Sequence, residues 1–160
     1  MSQRKKDFIH RISLHQGLIR SLCVAYFRAE EDREDAFQEV LLQLWKSYPT
    51  FRGRSSFVTW VYSVALRTLI RLAERSRRFV TCEYLPEYDP ASRADTESEE
   101  VIYVALSYLK PHDKALVLLY LEGYQYQEIA TLLDLSATNV STRLARIKQK
   151  MKTIITEQLL

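Results

Sequence analysis

The segment Phe51-Arg-Gly-Arg-Ser-Ser-Phe-Val-Thr-Trp-Val-Tyr62 interleaves aromatic rings with guanidinium groups. That is the chemistry of single-stranded nucleic-acid binding, in which bases stack on rings for roughly 1–3 kcal/mol each while arginines follow the phosphates. Arg67, Arg71 and Arg75 extend the basic series further along the chain. Phe57, Trp60 and Val64 also fall at i, i+3, i+7, so a plain apolar core accounts for Phe57 and Trp60. Tyr48, Phe51, Tyr62, Arg52, Arg54, Arg67, Arg71 and Arg75 are left as the strand-contacting candidates.

A second chemistry lies near the C-terminus, in Gln127-Glu-Ile-Ala-Thr-Leu-Leu-Asp-Leu-Ser-Ala-Thr-Asn-Val-Ser-Thr-Arg-Leu144. Ile129, Ala130 and Leu133 face a core, Asp134 stands at a tight turn, and Leu135 and Val140 close the core from the other side. Asp tolerates the left-handed backbone that such a turn needs. This is the spacing of a helix-turn-helix, which lays its second helix in the major groove. Val140, Leu144 and Ile147 point inward; Thr138, Asn139, Ser141, Thr142, Arg143, Ala145 and Arg146 make the outer face. Small polar groups in front with Arg and Lys behind suit base edges first and phosphates next. An ordinary helical hairpin with a polar outer face is the competing reading.

A third feature is the stripe Asp35, Gln38, Glu39 and Leu42, at i, i+3, i+4, i+7 of a helix that opens with Glu30-Glu-Asp-Arg-Glu. Such a stripe docks a basic partner helix; acids in a first turn also simply complement the helix dipole. No phosphate-cradling glycine loop, GxSxG or HExxH is present, and His10, His15 and His112 lack ligand-spaced neighbours. No catalytic residue, metal site or cofactor is expected, and an enzyme is the least favoured class.

The elements that must hold these groups are helices. Only three glycines and four prolines occur in 160 residues, of which 47% are apolar, which favours an all-α fold. Helical spacing predicts helices over 7–28, 33–48, from Ser55 or Ser56 to 78, over 97–108, from Pro111 to Gly123, over 125–133, and from Ala137 to about Ile155. Residues 1–78 carry 15 Lys/Arg against 8 Asp/Glu, residues 79–100 one Arg against seven acids, and residues 101–160 seven bases against five acids. Two basic lobes flanking an acidic strap fit a polyanionic partner, although a solvated charged surface reads the same way. The expected organisation is two small helical domains, 1–78 and 99–160, joined by an acidic linker over 79–98. No apolar run approaches the ~18 residues that span a bilayer, Met1-Ser-Gln-Arg-Lys-Lys leads into no signal-peptide core, and Cys23 and Cys82 suit a reducing compartment. A soluble, cytoplasmic protein without direct membrane insertion is expected.

Taken together, these pieces resemble the extracytoplasmic-function RNA polymerase sigma factors, the minimal two-domain class, from about residue 14 to 152. The family's D-x-x-Q-E-V-F-x-x-x-W stands here as Asp35-Ala-Phe-Gln38-Glu39-Val40-Leu-Leu-Gln-Leu-Trp45. F-R-G-x-S-S-F-x-T-W-L-Y stands as residues 51–62, and L-x-Y-x-E-G-x-S-Y-x-E-I-A-x-x-L-G-I-S as Leu118 to Ser136. The resemblance implies a protein that binds core polymerase and directs promoter-specific initiation. Asp35, Gln38, Glu39, Leu42 and Trp45 would bind the β′ clamp, and the C-terminal domain the β flap. The helix from Ser56 to Arg78 would open and read the −10 element, with Tyr48, Phe51, Arg52, Arg54, Tyr62, Arg67, Arg71 and Arg75 on the DNA. Thr138, Asn139, Ser141, Thr142, Arg143, Ala145 and Arg146 would read the −35 element. The linker would occupy the RNA-exit path, and an anti-sigma factor would mask both lobes.

Three departures from the family pattern stand out. Arg67 and Arg71 replace the usual Asn and Asp, exchanging hydrogen-bonding selectivity for phosphate grip. Ala137-Thr-Asn-Val-Ser-Thr-Arg143 replaces V-G-T-V-K-S-R, so no −35 sequence carries over. Gln125 replaces a Ser/Thr helix cap, a small loss of stability. Two alternatives remain at the level of sequence: a transcription regulator of another class with a similar helix-turn-helix, and a decoy lobe that binds polymerase without opening DNA.

Overall fold

A computed structural model describes residues 1–79 and 97–159 of the chain; most of the expected linker, 79–98, lies outside the described residues. Among them the chain forms eight α-helices and no strand, and it divides into two compact units, Met1–Ser76 and Arg77–Leu160. Among the described residues no helix is long and apolar enough to cross a membrane.

The N-terminal unit is built from α1 (Gln3–Ser13), α2 (Gln16–Tyr26), α3 (Glu30–Ser47) and most of α4 (Phe57–Phe79). Ile19, Leu22, Val40, Leu44, Val61, Leu66 and Leu69 are buried and form its core. α2 packs along α3, and Arg20 spans the pair: its guanidinium meets Glu34 Oε1 at 2.8 Å and lies 3.9 Å from the Phe37 ring centroid. The ion pair itself is exposed and contributes little; the apolar contacts beneath it hold the helices.

The single helix expected over 7–28 is two helices. The first starts at Gln3, four residues before the expected start, and Ser2 caps it, its hydroxyl accepting from the Lys5 N–H at 3.3 Å. The break at Leu14 and His15 follows from side chains competing for backbone groups. Ser13 Oγ donates to the His10 carbonyl at 2.6 Å, and the His15 ring nitrogen lies 2.8 Å from the Arg11 carbonyl. These satisfy carbonyls that a continuing helix would have used.

In the C-terminal unit, α5 (Glu97–Ser107), α6 (Pro111–Leu121), α7 (Tyr126–Leu133) and α8 (Ala137–Ile154) follow the expected order, and a π-helical turn, Ile155–Leu159, closes the last helix. α6, α7 and α8 pack on one another around Leu116, Leu119, Ile129, Leu144 and Ile147. Asp134 ends α7 at φ 56° and ψ 50°, the left-handed turn expected of it, and Ser136 Oγ accepts from the Asn139 N–H at 3.0 Å to start α8. The expected loss at Gln125 is offset by Glu128, whose carboxylate accepts the Gln125 N–H at 3.0 Å, one half of a capping box.

Candidate nucleic-acid interface

A short 3₁₀ turn, Tyr48–Thr50, and the loop to Phe57 carry the aromatic segment, with Gly53 at φ 71° supplying the sharp bend. Ser56 caps α4, its hydroxyl accepting from the Thr59 N–H at 3.2 Å. Tyr48, Phe51, Phe57 and Trp60 are all half-buried. Their rings form one cluster: Tyr48–Trp60 at 6.2 Å, Phe51–Trp60 at 5.2 Å, Phe51–Phe57 at 5.7 Å and Phe57–Trp60 at 5.4 Å between centroids. Phe57 and Trp60, read as core from their spacing, therefore belong to the same surface as Tyr48 and Phe51.

Tyr62 does not belong to it. Its side chain is only 4% exposed, because it shares the inward arc of α4 with Leu66 and Leu69 at i, i+4, i+7; the expectation that it contacts DNA is corrected. Arg52 and Arg54 are exposed beside the cluster and make no ion pair among the described residues. Arg67, Arg71 and Arg75 form an exposed stripe on the outer face of α4. Arg67 is not free of a partner, and Arg71 Nη2 lies 3.3 Å from Glu39 Oε1, which also accepts from Gln43 Nε2 at 2.9 Å. Arg71 and Glu39, read as parts of two different surfaces, are thus partners, and the phosphate grip expected of Arg71 competes with this pair.

On α3, Asp35, Gln38 and Leu42 are exposed, Leu42 at 44%, and Glu39 is half-buried. Trp45 is half-buried, packed against Phe8 at 5.0 Å. α1 contributes more to this region than its sequence suggested. Phe8 also meets Tyr48 at 5.2 Å, Arg4 Cζ lies 5.5 Å from the Trp45 ring centroid, and Arg11 Cζ lies 5.1 Å from that of Phe57. Such cation–π contacts are worth about 0.5–1 kcal/mol at exposed sites. The available signal was the i, i+7 spacing of Arg4 and Arg11 on one flank of the face defined by Phe8 and Ile12.

The outer face of α8 holds Thr138, Asn139, Ser141, Thr142, Ala145 and Arg146, all exposed. Arg143 departs from the expectation: it is turned toward α6, with Nη2 at 3.2 Å from Asp113 Oδ1 and both side chains largely covered. It braces α6 against α8, and a guanidinium tied this way is not free for a base. Lys148 lies 4.0 Å from the Tyr120 ring centroid, and the hydrogen bond to Tyr120 holds its ammonium above the ordinary lysine value. Beside it opens an apolar groove of about 350 Å³ lined by Ile102, Leu121, Leu144, Met151 and Ile155.

A helix-turn-helix unit and a second helical unit presenting aromatic rings and arginines define a DNA-binding protein of the transcription machinery. Residues 12–79 match the sigma-70 region 2 family and residues 99–151 the sigma-70 region 4 family, well over half of the chain together. The ECF RNA polymerase sigma-E factor of Haemophilus influenzae is 27% identical over 92% of this chain and 87% of its own length. The ECF sigma factor SigG of Mycobacterium tuberculosis is 26% identical over 95% of this chain, which spans half of SigG's length. The sigma factor RpoE of Bartonella quintana, solved with the anti-sigma factor NepR, shares the fold at a TM-score of 0.73 and 18% identity, over 96% of this chain and 99% of that one. The chain belongs to the extracytoplasmic-function RNA polymerase sigma factors, initiation factors that direct promoter-specific transcription.

Proposed function

We propose that residues 1–78 bind core polymerase and open the −10 element, that 79–98 link the domains, and that 99–160 read the −35 element. The chain supplies no catalysis of its own and works in the cytoplasm. Asp35, Gln38, Glu39 and Leu42 engage the β′ clamp, with Trp45 bracing the stripe from behind. Tyr48, Phe51, Phe57 and Trp60 receive unpaired bases while Arg52, Arg54 and Arg75 hold the strand. Thr138, Asn139, Ser141, Thr142, Ala145 and Arg146 face the −35 duplex. The groove beside Lys148 takes the β flap, and an anti-sigma factor covers both units in the inactive state; RpoE of Bartonella quintana was solved in complex with such a factor, NepR.

The observation that carries this reading is the half-buried ring cluster, flanked by arginines that make no ion pair among the described residues, in the same chain as a helix-turn-helix with an exposed outer face. Run-off transcription with bacterial core polymerase on a genomic promoter library tests it. Discrete transcripts sharing two spaced upstream elements are expected. Stable co-elution with core but no transcripts would mark a decoy, and neither would mark a regulator of another class. Changing Asp35 and Gln38 to Ala together should weaken core binding by about 2–5 kcal/mol, the cost of breaking hydrogen-bonded interface charges, while duplex binding by the C-terminal unit stays intact. Loss of both would indicate misfolding.

A further inference from the structure

The geometry points to α1 as a DNA-binding element: Arg4 and Arg11 form a rail that grips the backbone of the single strand whose bases enter the aromatic cluster. This rests on the reading of that cluster as the −10 surface and extends it to a helix that lies before the matched sigma-70 region 2 except for its last two residues.

α1 buries Phe8 and Ile12 and leaves Arg4, Lys5, Lys6, His10 and Arg11 exposed. Phe8 docks between Trp45 and Tyr48, which fixes the roll of the helix and sets one flank along the ring cluster. The two arginines at i, i+7 share that flank, about 10.5 Å apart along the axis, a span of about three nucleotides at the 3.4 Å rise per base of a stacked strand. Each guanidinium lies over a ring, Arg4 on Trp45 and Arg11 on Phe57. A guanidinium held near a ring by its charge still carries five N–H donors, enough to meet a phosphate as well.

Among the described residues Arg4 and Arg11, like Arg52 and Arg54, have no carboxylate partner, unlike three other arginines. Arg20 is paired with Glu34, Arg71 with Glu39 and Arg143 with Asp113. Neither Arg4 nor Arg11 has such a partner among the described residues, and the one acid on α1, Asp7, accepts from Gln3 Nε2 at 2.9 Å. Arg52 and Arg54, exposed next to Phe51 in the chain, add two more cations for the phosphates of a strand whose bases insert.

The test uses the full chain assembled with core polymerase and a fluorescent single strand carrying the non-template −10 sequence of a promoter recovered by the transcription assay. Arg4→Ala with Arg11→Ala should weaken strand binding about tenfold at low salt. The slope of log affinity against log salt should become shallower by about 1.4, or about 0.7 for each of the two phosphates that the variant no longer neutralises on a single strand. Arg4→Lys with Arg11→Lys, which keeps both charges, should retain most of the slope, and circular dichroism on all variants reports the fold. An unchanged slope in a folded alanine variant overturns the rail and leaves the cluster reading standing. Weaker affinity for core at an unchanged strand slope assigns the two arginines to a polymerase surface and equally overturns it. If the wild-type holoenzyme does not bind the strand and Trp60→Ala changes nothing, the cluster reading fails and the rail with it.

Discussion

The N-terminal unit places its clustered rings half in and half out of the protein, whereas the C-terminal unit places its outer-face residues wholly outside. Tyr48, Phe51, Phe57 and Trp60 are each other's packing partners as well as the candidate stacking platform. Thr138, Asn139, Ser141, Thr142, Ala145 and Arg146 touch solvent, and Val140, Leu144 and Ile147 on the reverse of α8 do the packing. Capturing an unpaired base takes exposed ring faces held rigidly, so core and binding surface share atoms. Reading a duplex takes only a rigid helix, so the two separate along its faces. Mutations should therefore couple stability to binding in the first unit and uncouple them in the second.

The largest effect is expected at Trp60, which contacts three rings. Trp60→Ala should cost about 3 kcal/mol of stability by denaturant titration, the low end for an aromatic truncation because the side chain is half-buried. It should also weaken strand binding by about 1–3 kcal/mol. A loss of binding at unchanged stability would break the contrast. Arg146→Ala should do what Trp60→Ala does not: weaken −35 duplex binding by about 1–3 kcal/mol if it makes a bidentate base contact, with the melting temperature unchanged. A uniform loss across sequences with a shallower salt slope would make it a phosphate contact instead.

The paired arginines sharpen the contrast from the other side. Arg143→Ala should lower the stability of the C-terminal unit by about 1 kcal/mol, because its partner Asp113 is left largely covered, with base preference unchanged. Arg71→Ala severs a more exposed pair and should cost about 0.2–1 kcal/mol; its effect on strand binding should be smaller than that of Arg52→Ala. The smallest effect concerns Cys23, whose thiol burial pushes up to about 11 from 9.0, with Arg20 opposing and Glu34 adding to the shift. An alkylating reagent at pH 8 should spare Cys23 in the native protein and modify it once the N-terminal unit unfolds. The unfolded thiol ionises first as pH rises, so this group weakens the fold only above about pH 9 and has no effect below it.

Much of the C-terminal unit was legible in the sequence because local rules settle it. Asp134 in the left-handed turn, Ser136 as a cap and Pro111 at a helix start each depend on neighbours within a few residues. The contacts that the sequence did not reveal lie where tertiary structure decides. Arg71 pairs with a residue 32 positions away and Arg143 with one 30 positions away, and no spacing along a helix reveals either. Tyr62 is different: the inward arc it shares with Leu66 and Leu69 was visible, but the series Phe57, Trp60 and Val64, on nearly the opposite side of the helix, was read as the core face. The place of Phe57 and Trp60 in the half-buried ring cluster, rather than in the core, depends on contacts with Tyr48 and Phe51.

The most direct test of the account is permanganate reactivity of promoter thymines in complexes of core polymerase with this protein, since permanganate attacks thymines that have left the stack. Reactive thymines confined to the −10 region, lost with Trp60→Ala but retained with Arg71→Ala, are what the half-buried ring cluster predicts. A stable promoter complex with every thymine protected would show that the N-terminal unit holds polymerase without opening DNA, and would contradict it.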